Sequence, residues 1–467
     1  MKEFLIKLII LFNNLSLYYI ITINCIYFIQ LITAAFNMAS YFNKIKSYEY
    51  KRLTNSETMI PISLLVPAYN EEVTIVDSIK SLMNLSYPEY EVIVINDGSK
   101  DNTLRCIIDE FHMIEINEPY KQSLNTEKVK KVYRSMKNVN LVLLDKENGG
   151  KADALNAGIN ISKYPVFSAI DADSLLENDS LVRLILPFFY DSKVVANGGI
   201  VRIASGCKIV NGRLTEVGIS NNFWAKLQTV EYLRAFLTGR MGFDAMGTLL
   251  IISGAFGAFR KQTVIDVGGY KRNCIGEDME LVVHMHQYLR KNKLKYKIKF
   301  IPDPVCWTQP PEKFKDLKSQ RRRWHIGLMS SLLLHKEMLF NPRYGRIGML
   351  AVPYFWIFEM LGPIIESIGY FLVPISYLFG VINLRFMISF YTSAILFGVI
   401  LSVGALILEE YTFKRYTSFR QMLKLFLYSI IDNFGYRQIN NLIKVEALFK
   451  YRSEKNKWGN IKRNKFM

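Results

Sequence analysis

The sequence predicts an α/β fold: a doubly wound parallel sheet carried between transmembrane α-helices. Three observations predict it. Short, nearly continuous apolar runs recur at residues 62–66, 92–95, 141–144 and 166–170, as expected of strands covered by helices on both faces. Between the first two runs, Ile75, Ile79 and Leu82 fall at helical spacing, giving βαβ punctuation. Apolar stretches long enough to span a bilayer stand on both sides of this block, at about residues 15–35 and 347–408.

The first apolar stretch has no clear small-residue cleavage site, so residues 1–45 are expected to remain as a membrane anchor. Lys44, Lys46, Lys51 and Arg52 after it outweigh Lys2 and Lys7 before it, which predicts that the following domain, residues 55–330, faces the cytoplasm. Within that domain the polar stretch 117–138 reads as a solvated excursion. Trp224, Leu227, Val230, Leu233 and Leu237 are spaced as on an amphipathic helix, read here as core-facing.

Residues 331–346 are expected to form an interfacial amphipathic connector, and 347–410 the remaining transmembrane helices. Between 347 and 408 the only charges are Glu359, Glu366 and Arg385. Two or three spans fit there. The carboxylates, costly in lipid, should face protein, water or a sugar-lined passage. Lys414, Arg415, Arg420 and Lys424, with the basic tail at 450–465, predict that 411–467 is an amphipathic, basic cytoplasmic segment. An even number of crossings is then required, and 422–434, which carries Asp432, is too short for another. The expectation is a multi-pass protein of the cell membrane.

Composition agrees. With 467 residues and 50% hydrophobic content there is room for one large soluble domain and several spans. The net charge of +18 suits cytoplasmic loops of a membrane protein, and no nucleic-acid partner is expected. The five cysteines show no paired spacing, so neither a disulfide framework nor a zinc site is suggested.

Chemistry-bearing residues cluster after predicted strands, where ligands bind in open α/β sheets. Asp97, in Asn-Asp-Gly-Ser after the 92–95 run and opposite Pro67-Ala-Tyr-Asn-Glu71, could accept a hydrogen bond from a base N–H; an ordinary Asp-Gly turn competes. Asn148-Gly-Gly-Lys151 could bring backbone N–H groups and one ammonium to a phosphate, though it lacks the spacing of an ATP-binding P-loop. Asp171 and Asp173, two apart in an extended chain, would share one face and hold a hard divalent ion, Mg²⁺ or Mn²⁺, together with substrate phosphates. Glu277, Asp278 and Glu280 open a helical run, where they would cap its dipole. Crowding by like charge also suits one of them to general-base work, with Asp278 preferred and Glu277 the alternative. Gln320-Arg-Arg-Arg323-Trp324 joins phosphate-matching guanidinium groups to an aromatic platform. His284 and His286 would point apart on a helix, and His325 reads as a surface histidine.

These residues together resemble the membrane-bound family 2 glycosyltransferases, in particular the cellulose, hyaluronan, chitin and poly-N-acetylglucosamine synthases. The resemblance covers about residues 61–324 and extends to the flanking spans. It implies a GT-A fold, a Rossmann-like doubly wound sheet. It further implies that Tyr69, Glu71 and Asp97 hold uridine, that Asp171 and Asp173 hold the diphosphate and metal, with Lys151 beside the donor, and that Asp278 deprotonates the acceptor hydroxyl. Gln320, Arg323 and Trp324 correspond to the family's Gln-x-x-Arg-Trp motif, which closes over donor and acceptor. Ser253, Gly254 and Phe256, in Ser-Gly-Ala-Phe, resemble the loop that meets the acceptor end, alongside Glu277. Gly276 stands where the family commonly has Thr, and no C-terminal regulatory domain is expected after the spans.

The reaction so implied is inverting and metal-dependent: transfer of a sugar from a UDP-sugar to a growing β-linked polysaccharide, processive and coupled to export across the bilayer, with export or accessory subunits as further partners. Transfer of one sugar to a membrane lipid is the close alternative. A nucleotide-sugar-binding membrane sensor is the non-enzymatic one.

Overall fold

The computed structural model describes residues 2–47, 59–210, 213–416 and 418–454. Lys51, Arg52 and the end of the basic tail lie outside them, as do the side chains of Lys44 and Lys46. The strands are β1 (Ile62–Ala68), β2 (Tyr90–Asp97), β3 (Met113–Ile116), β4 (Val129–Ser135), β5 (Leu141–Lys146), β6 (Val166–Ala169), β7 (Ser174–Leu176), β8 (Val194–Ile203), β9 (Lys208–Val210), β10 (Arg213–Glu216), β11 (Gly257–Arg260) and β12 (Lys297–Thr308). Ten of them form one sheet in the order β3-β4-β5-β2-β1-β6-β11-β8-β12-β7, while β9 and β10 make a separate hairpin.

The four apolar runs become the parallel block β5-β2-β1-β6. Neighbouring side chains of β1 enter opposite cores, Leu64 and Val66 on one face and Leu65 on the other. Burial on both faces is what made these strands continuous rather than alternating in pattern. The helix Ile75–Met83 buries Ile75, Ile79 and Leu82 as their spacing predicts.

Two expectations are corrected. The stretch 117–138 contains β4, which with β3 forms an antiparallel extension of the sheet's edge on β5. The adjacent exposed lysines Lys130 and Lys131 hid a strand whose Val132 is buried in the core. The sheet is also mixed rather than wholly parallel, because β11 runs antiparallel to both β6 and β8. Gly257 therefore pairs with Ala169, and the chain entering β11 arrives where β6 ends. This reversal places the 253–256 loop beside Asp171.

Three helices are long and apolar enough to cross a membrane: Lys2–Asn43, Ile347–Leu378 and Leu384–Phe413. The helix Phe419–Ile431 is too short to do so. The connector expected over 331–346 is helical only to Leu334 and then breaks into short turns, Lys336–Met338 and Pro342–Tyr344. Ion pairs tie the sheet domain to the last apolar helix and to the turn at its C-terminal end. Buried Arg202 of β8 grips Glu409 with both terminal guanidinium nitrogens, and half-buried Arg415 reaches Glu177 at 2.8 and 3.0 Å.

Glu359 and Glu366 meet protein partners. Glu359 accepts from Tyr354 at 2.9 Å and Tyr27 at 3.3 Å. Glu366 accepts from Asn441 at 2.8 Å, with Arg437 at 3.7 Å. The helix Arg437–Glu454 thus folds back to neutralise a charge inside the apolar bundle.

Candidate active site

The loops after β1 and β2 are fastened to one another. Asn70 has φ +57, and this left-handed turn lets its N–H donate to Ser99 Oγ (3.0 Å) while its Oδ1 accepts from Lys100 N (2.8 Å). Glu71 N donates to Thr103 Oγ1 at 2.8 Å, and the Glu71 carboxylate accepts from Thr74 at 2.9 Å. Tyr69 stays exposed at the mouth of this junction.

Asp97 differs from its expected setting. It is buried, and its Oδ1 accepts from Lys146 Nζ (2.7 Å) and Gly149 N (3.0 Å), while Oδ2 accepts from Gly150 N (2.8 Å) and Asn148 Nδ2 (3.1 Å). The β2–β5 register brings Lys146 opposite Asp97, and Lys146 also contacts Asp153 at 2.6 Å. The carboxylate therefore occupies the amide cradle that the Gly149-Gly150 turn was expected to offer a phosphate. Gly98 is needed there: with φ +68, a Cβ would come within 2.8 Å of Asn148 N.

Beyond β6 the chain does not stay extended. Ser174 N donates to Asp171 O at 3.0 Å, making a tight turn from which Asp171 and Asp173 both project partly exposed. The buried Cys306 thiol is pushed up first by burial, and both carboxylates raise it further. Lys151, which opens the helix Lys151–Ile161, places Nζ 2.5 Å from Asp171 Oδ1 and 3.5 Å from Glu277 Oε1. Burial by itself would lower the Lys151 pKa, but Asp171 and Glu277 outweigh it, and the ammonium is held.

Glu277 and Asp278 begin the helix Glu277–Lys291. Asp278 Oδ2 accepts from Gly254 N at 3.1 Å, and its Oδ1 accepts from Met279 N at 2.9 Å. A Cβ on Gly254 would meet Lys151 Nζ at 3.0 Å and Asp278 Oδ2 at 3.5 Å. Asp171, Lys151, Gly254, Glu277 and Asp278 thus form one contiguous group, drawn from separate stretches of chain. Burial raises the Glu277 pKa, Lys151 opposes the rise and Asp278 adds to it. Glu280 faces away, accepting from His335 at 3.0 Å.

The basic-aromatic motif sits on the helix Phe314–Leu334. Steps of about 100° per residue send its arginines in different directions. Arg321 turns inward to Glu231 at 2.6 Å, with its guanidinium carbon 4.2 Å from the Trp324 ring centroid. Arg322 reaches Glu446 (3.4 Å) and Glu454 (2.8 Å) on the C-terminal helix. Gln320 and Arg323 lie half-buried on the same helix, and Trp324 is 39% exposed, its ring centroid 6.2 Å from that of Phe236.

Sequence reasoning missed Arg240. It follows the amphipathic stretch expected at 224–237, which forms the helix Phe223–Tyr232 and a wider turn, Leu233–Gly239. The guanidinium is 8% exposed and lies 4.1 Å over the Phe236 ring, and Nη1 has no hydrogen-bond partner. Burial lowers its pKa to about 10, with Asp278 partly restoring it. The available signal was an arginine just past a run of apolar periodicity.

Two further expectations are corrected. Phe256 is fully buried in the sheet's core, against the space above Gly199 where a Cβ would lie 2.3 Å from its ring, so it cannot touch an acceptor. His325 is 3% exposed rather than superficial, and burial lowers its pKa to about 3.

Among the described residues no three or more His, Cys, Asp or Glu are grouped to hold a metal ion. The turn bearing Asp171 and Asp173 fits a hard divalent cation that takes its remaining ligands from a diphosphate and water, rather than one caged by protein.

Comparison with known proteins identifies the family and the fold. Residues 60–327 match the family model described as glycosyltransferase like family 2. The poly-beta-1,6-N-acetyl-D-glucosamine synthase of Staphylococcus epidermidis is 31% identical over 290 residues, 62% of this chain and 60% of that protein. The synthase of the same name from Staphylococcus aureus strain COL is 29% identical over 312 residues, 66% of this chain and 65% of that protein. The matched region thus spans less than two thirds of these relatives' length. A mannosyltransferase from Pyrobaculum calidifontis, solved in complex with GDP-Man and Mn²⁺, shares the fold with a TM-score of 0.50 at 16% identity, over 87% of this chain and 99% of that one.

Proposed function

The chain belongs to the family 2 glycosyltransferases and has their GT-A fold, and from that premise we propose that it transfers N-acetylglucosamine from its UDP-sugar to a growing β-linked polysaccharide. The observation that carries this reading is the convergence of Asp171, Lys151, Glu277 and Asp278 at the end of β6, next to the loop that enters β11. A base, a site for a cation-bridged diphosphate and a loop for the acceptor then share one cleft. The choice of sugar is supported by the names of the two staphylococcal relatives.

In this reading Tyr69 and Glu71 border the base of the nucleotide, while Asp97 acts from behind by fixing the Gly149-Gly150 turn that carries Lys151. Asp171 and Asp173 would hold Mg²⁺ or Mn²⁺, which when bound would neutralise the diphosphate. Lys151 exchanges part of its contact with Asp171 for the incoming phosphate oxygens. Gln320, Arg323 and Trp324 cover the donor, with Trp324 offering a sugar its exposed ring. Asp278, held by Gly254 N–H, takes the proton of the acceptor hydroxyl as that oxygen attacks the anomeric carbon from the face opposite UDP, so the configuration inverts. Ser253 and Gly254 border the acceptor, and Asp278 is the acting base, while burial raises the Glu277 pKa against the pull of Lys151.

We further propose that the three apolar helices cross the membrane with the catalytic domain on the cytoplasmic side, and that transfer is processive and coupled to export. Incubating the full chain in nanodiscs with UDP-N-acetylglucosamine and Mn²⁺, with mass analysis of products, tests the proposal. A ladder of polymer is expected. A single sugar on lipid would replace it with the lipid-acceptor reading, and the absence of product with every UDP-sugar tried would overturn both.

A further inference from the structure

A second concave feature lies away from the cleft, at the junction between the sheet domain and the apolar helix Ile347–Leu378. Lys193, Arg290, Lys293, Lys295 and Arg343, with Leu294 and Tyr296, line a cavity of about 510 Å³. Five positive side chains around one hollow repel each other unless an anion is present. Among the described residues none of the five has an ion pair within 4.0 Å, although Lys193 lies near enough to Asp191 to help Lys297 hold its carboxylate below the usual range. Asp191 contacts Lys297 at 2.7 Å, and Glu337 accepts from Gln287 and Tyr344, each at 2.6 Å.

The hollow is held in shape from below. Buried His286 bridges Leu249 O at 2.8 Å and the Tyr296 hydroxyl at 2.6 Å, and Arg290 Nε donates to the same hydroxyl at 3.2 Å. The turn Pro342–Tyr344 brings Arg343 to the other wall. Gly345, at φ +55, lets the backbone lie against Arg290, where a Cβ would come within 3.3 Å of Nη1. The chain then enters the apolar helix at Ile347. Phe340, Met349 and Leu350 are exposed beside this entry, and Leu294 is exposed in the hollow's wall.

We propose that this hollow binds a phosphodiester anion, and its place at the mouth of an apolar helix assigns that anion to the headgroup of an anionic phospholipid. The phosphate sits among Arg290, Lys293, Lys295, Lys193 and Arg343, and the acyl chains run along Leu294, Phe340 and Leu350. The site is independent of the transferase reading.

The test uses the full chain in detergent micelles, with bound phosphatidylglycerol and phosphatidylcholine counted by native mass spectrometry. Wild type is expected to retain phosphatidylglycerol over phosphatidylcholine. The variant Lys293→Gln/Lys295→Gln/Arg343→Gln should bind it about fivefold more weakly per cation removed, with an unchanged melting temperature. A control, Lys121→Gln/Lys130→Gln/Lys137→Gln, removes as many exposed cations from a distant surface and should bind as wild type does. Equal losses in control and variant would show diffuse charge attraction and overturn the proposal. So would inorganic pyrophosphate stabilising wild type but not the variant while phosphatidylglycerol does not discriminate between them, since the source would then be soluble.

Discussion

Lys151 Nζ lies 2.5 Å from Asp171 Oδ1, so the residue that opens the Lys151–Ile161 helix sits where a cation is needed between Asp171 and Glu277. Removing it leaves carboxylates facing each other in a low-dielectric cleft. Lys151→Met is expected to cost about 2 kcal/mol, below the ~3–5 kcal/mol of a fully buried pair because Asp171 is 31% exposed. Mn²⁺ should raise the melting temperature of the variant more than that of wild type, by supplying the lost charge. Equal shifts would separate Lys151 from the metal site.

Asp278→Asn keeps one acceptor oxygen, which serves either Gly254 N–H or Met279 N–H but not both, so a modest fall in melting temperature with the fold retained is expected. Sugar transfer should fall by about 10²–10⁴-fold, the usual contribution of a positioned base. Calorimetric affinity for the donor should stay within about threefold of wild type. If transfer persists in Asp278→Asn and is abolished in Glu277→Gln, the base assignment moves to Glu277.

Arg321 is a structural member of the basic-aromatic motif. It is 3% exposed and paired with Glu231, which also accepts from Tyr436 at 2.7 Å. Arg321→Gln should destabilise the chain by about 3 kcal/mol, as expected for an uncompensated buried partner. Adding Glu231→Gln should then cost much less than it does alone. Strict additivity in thermal melts would refute the pairing.

His325 makes stability sensitive to acid. Its folded pKa, lowered by burial to about 3, lies below the ordinary value of 6.5. Below pH 6.5 the unfolded chain therefore binds a proton that the folded chain refuses, and stability is lost as pH falls toward 3. Replacing His325 with Gln should flatten the melting temperature between pH 6.5 and 4 relative to wild type. A parallel pair of curves would rule the histidine out.

The sequence by itself determined the parallel block, because strands buried on both faces must be apolar throughout, and that constraint is written locally. It also determined the apolar helices, whose length follows from bilayer thickness. The acids at strand ends were legible for the same reason: a parallel strand delivers its next residue to a known edge of the sheet. Tertiary structure alone decided what those residues touch. Asp97 faces Lys146 only because β2 and β5 lie in that register, and the 253–256 loop reaches Asp278 only because β11 runs backward beside β6. Phe256 and His325 are buried by elements distant in the chain, and Arg240 reaches the cleft across a widened helical turn. Spacing along the chain encodes the direction of a side chain over a few residues. Its partners are set by where remote segments pack, and no local pattern records that.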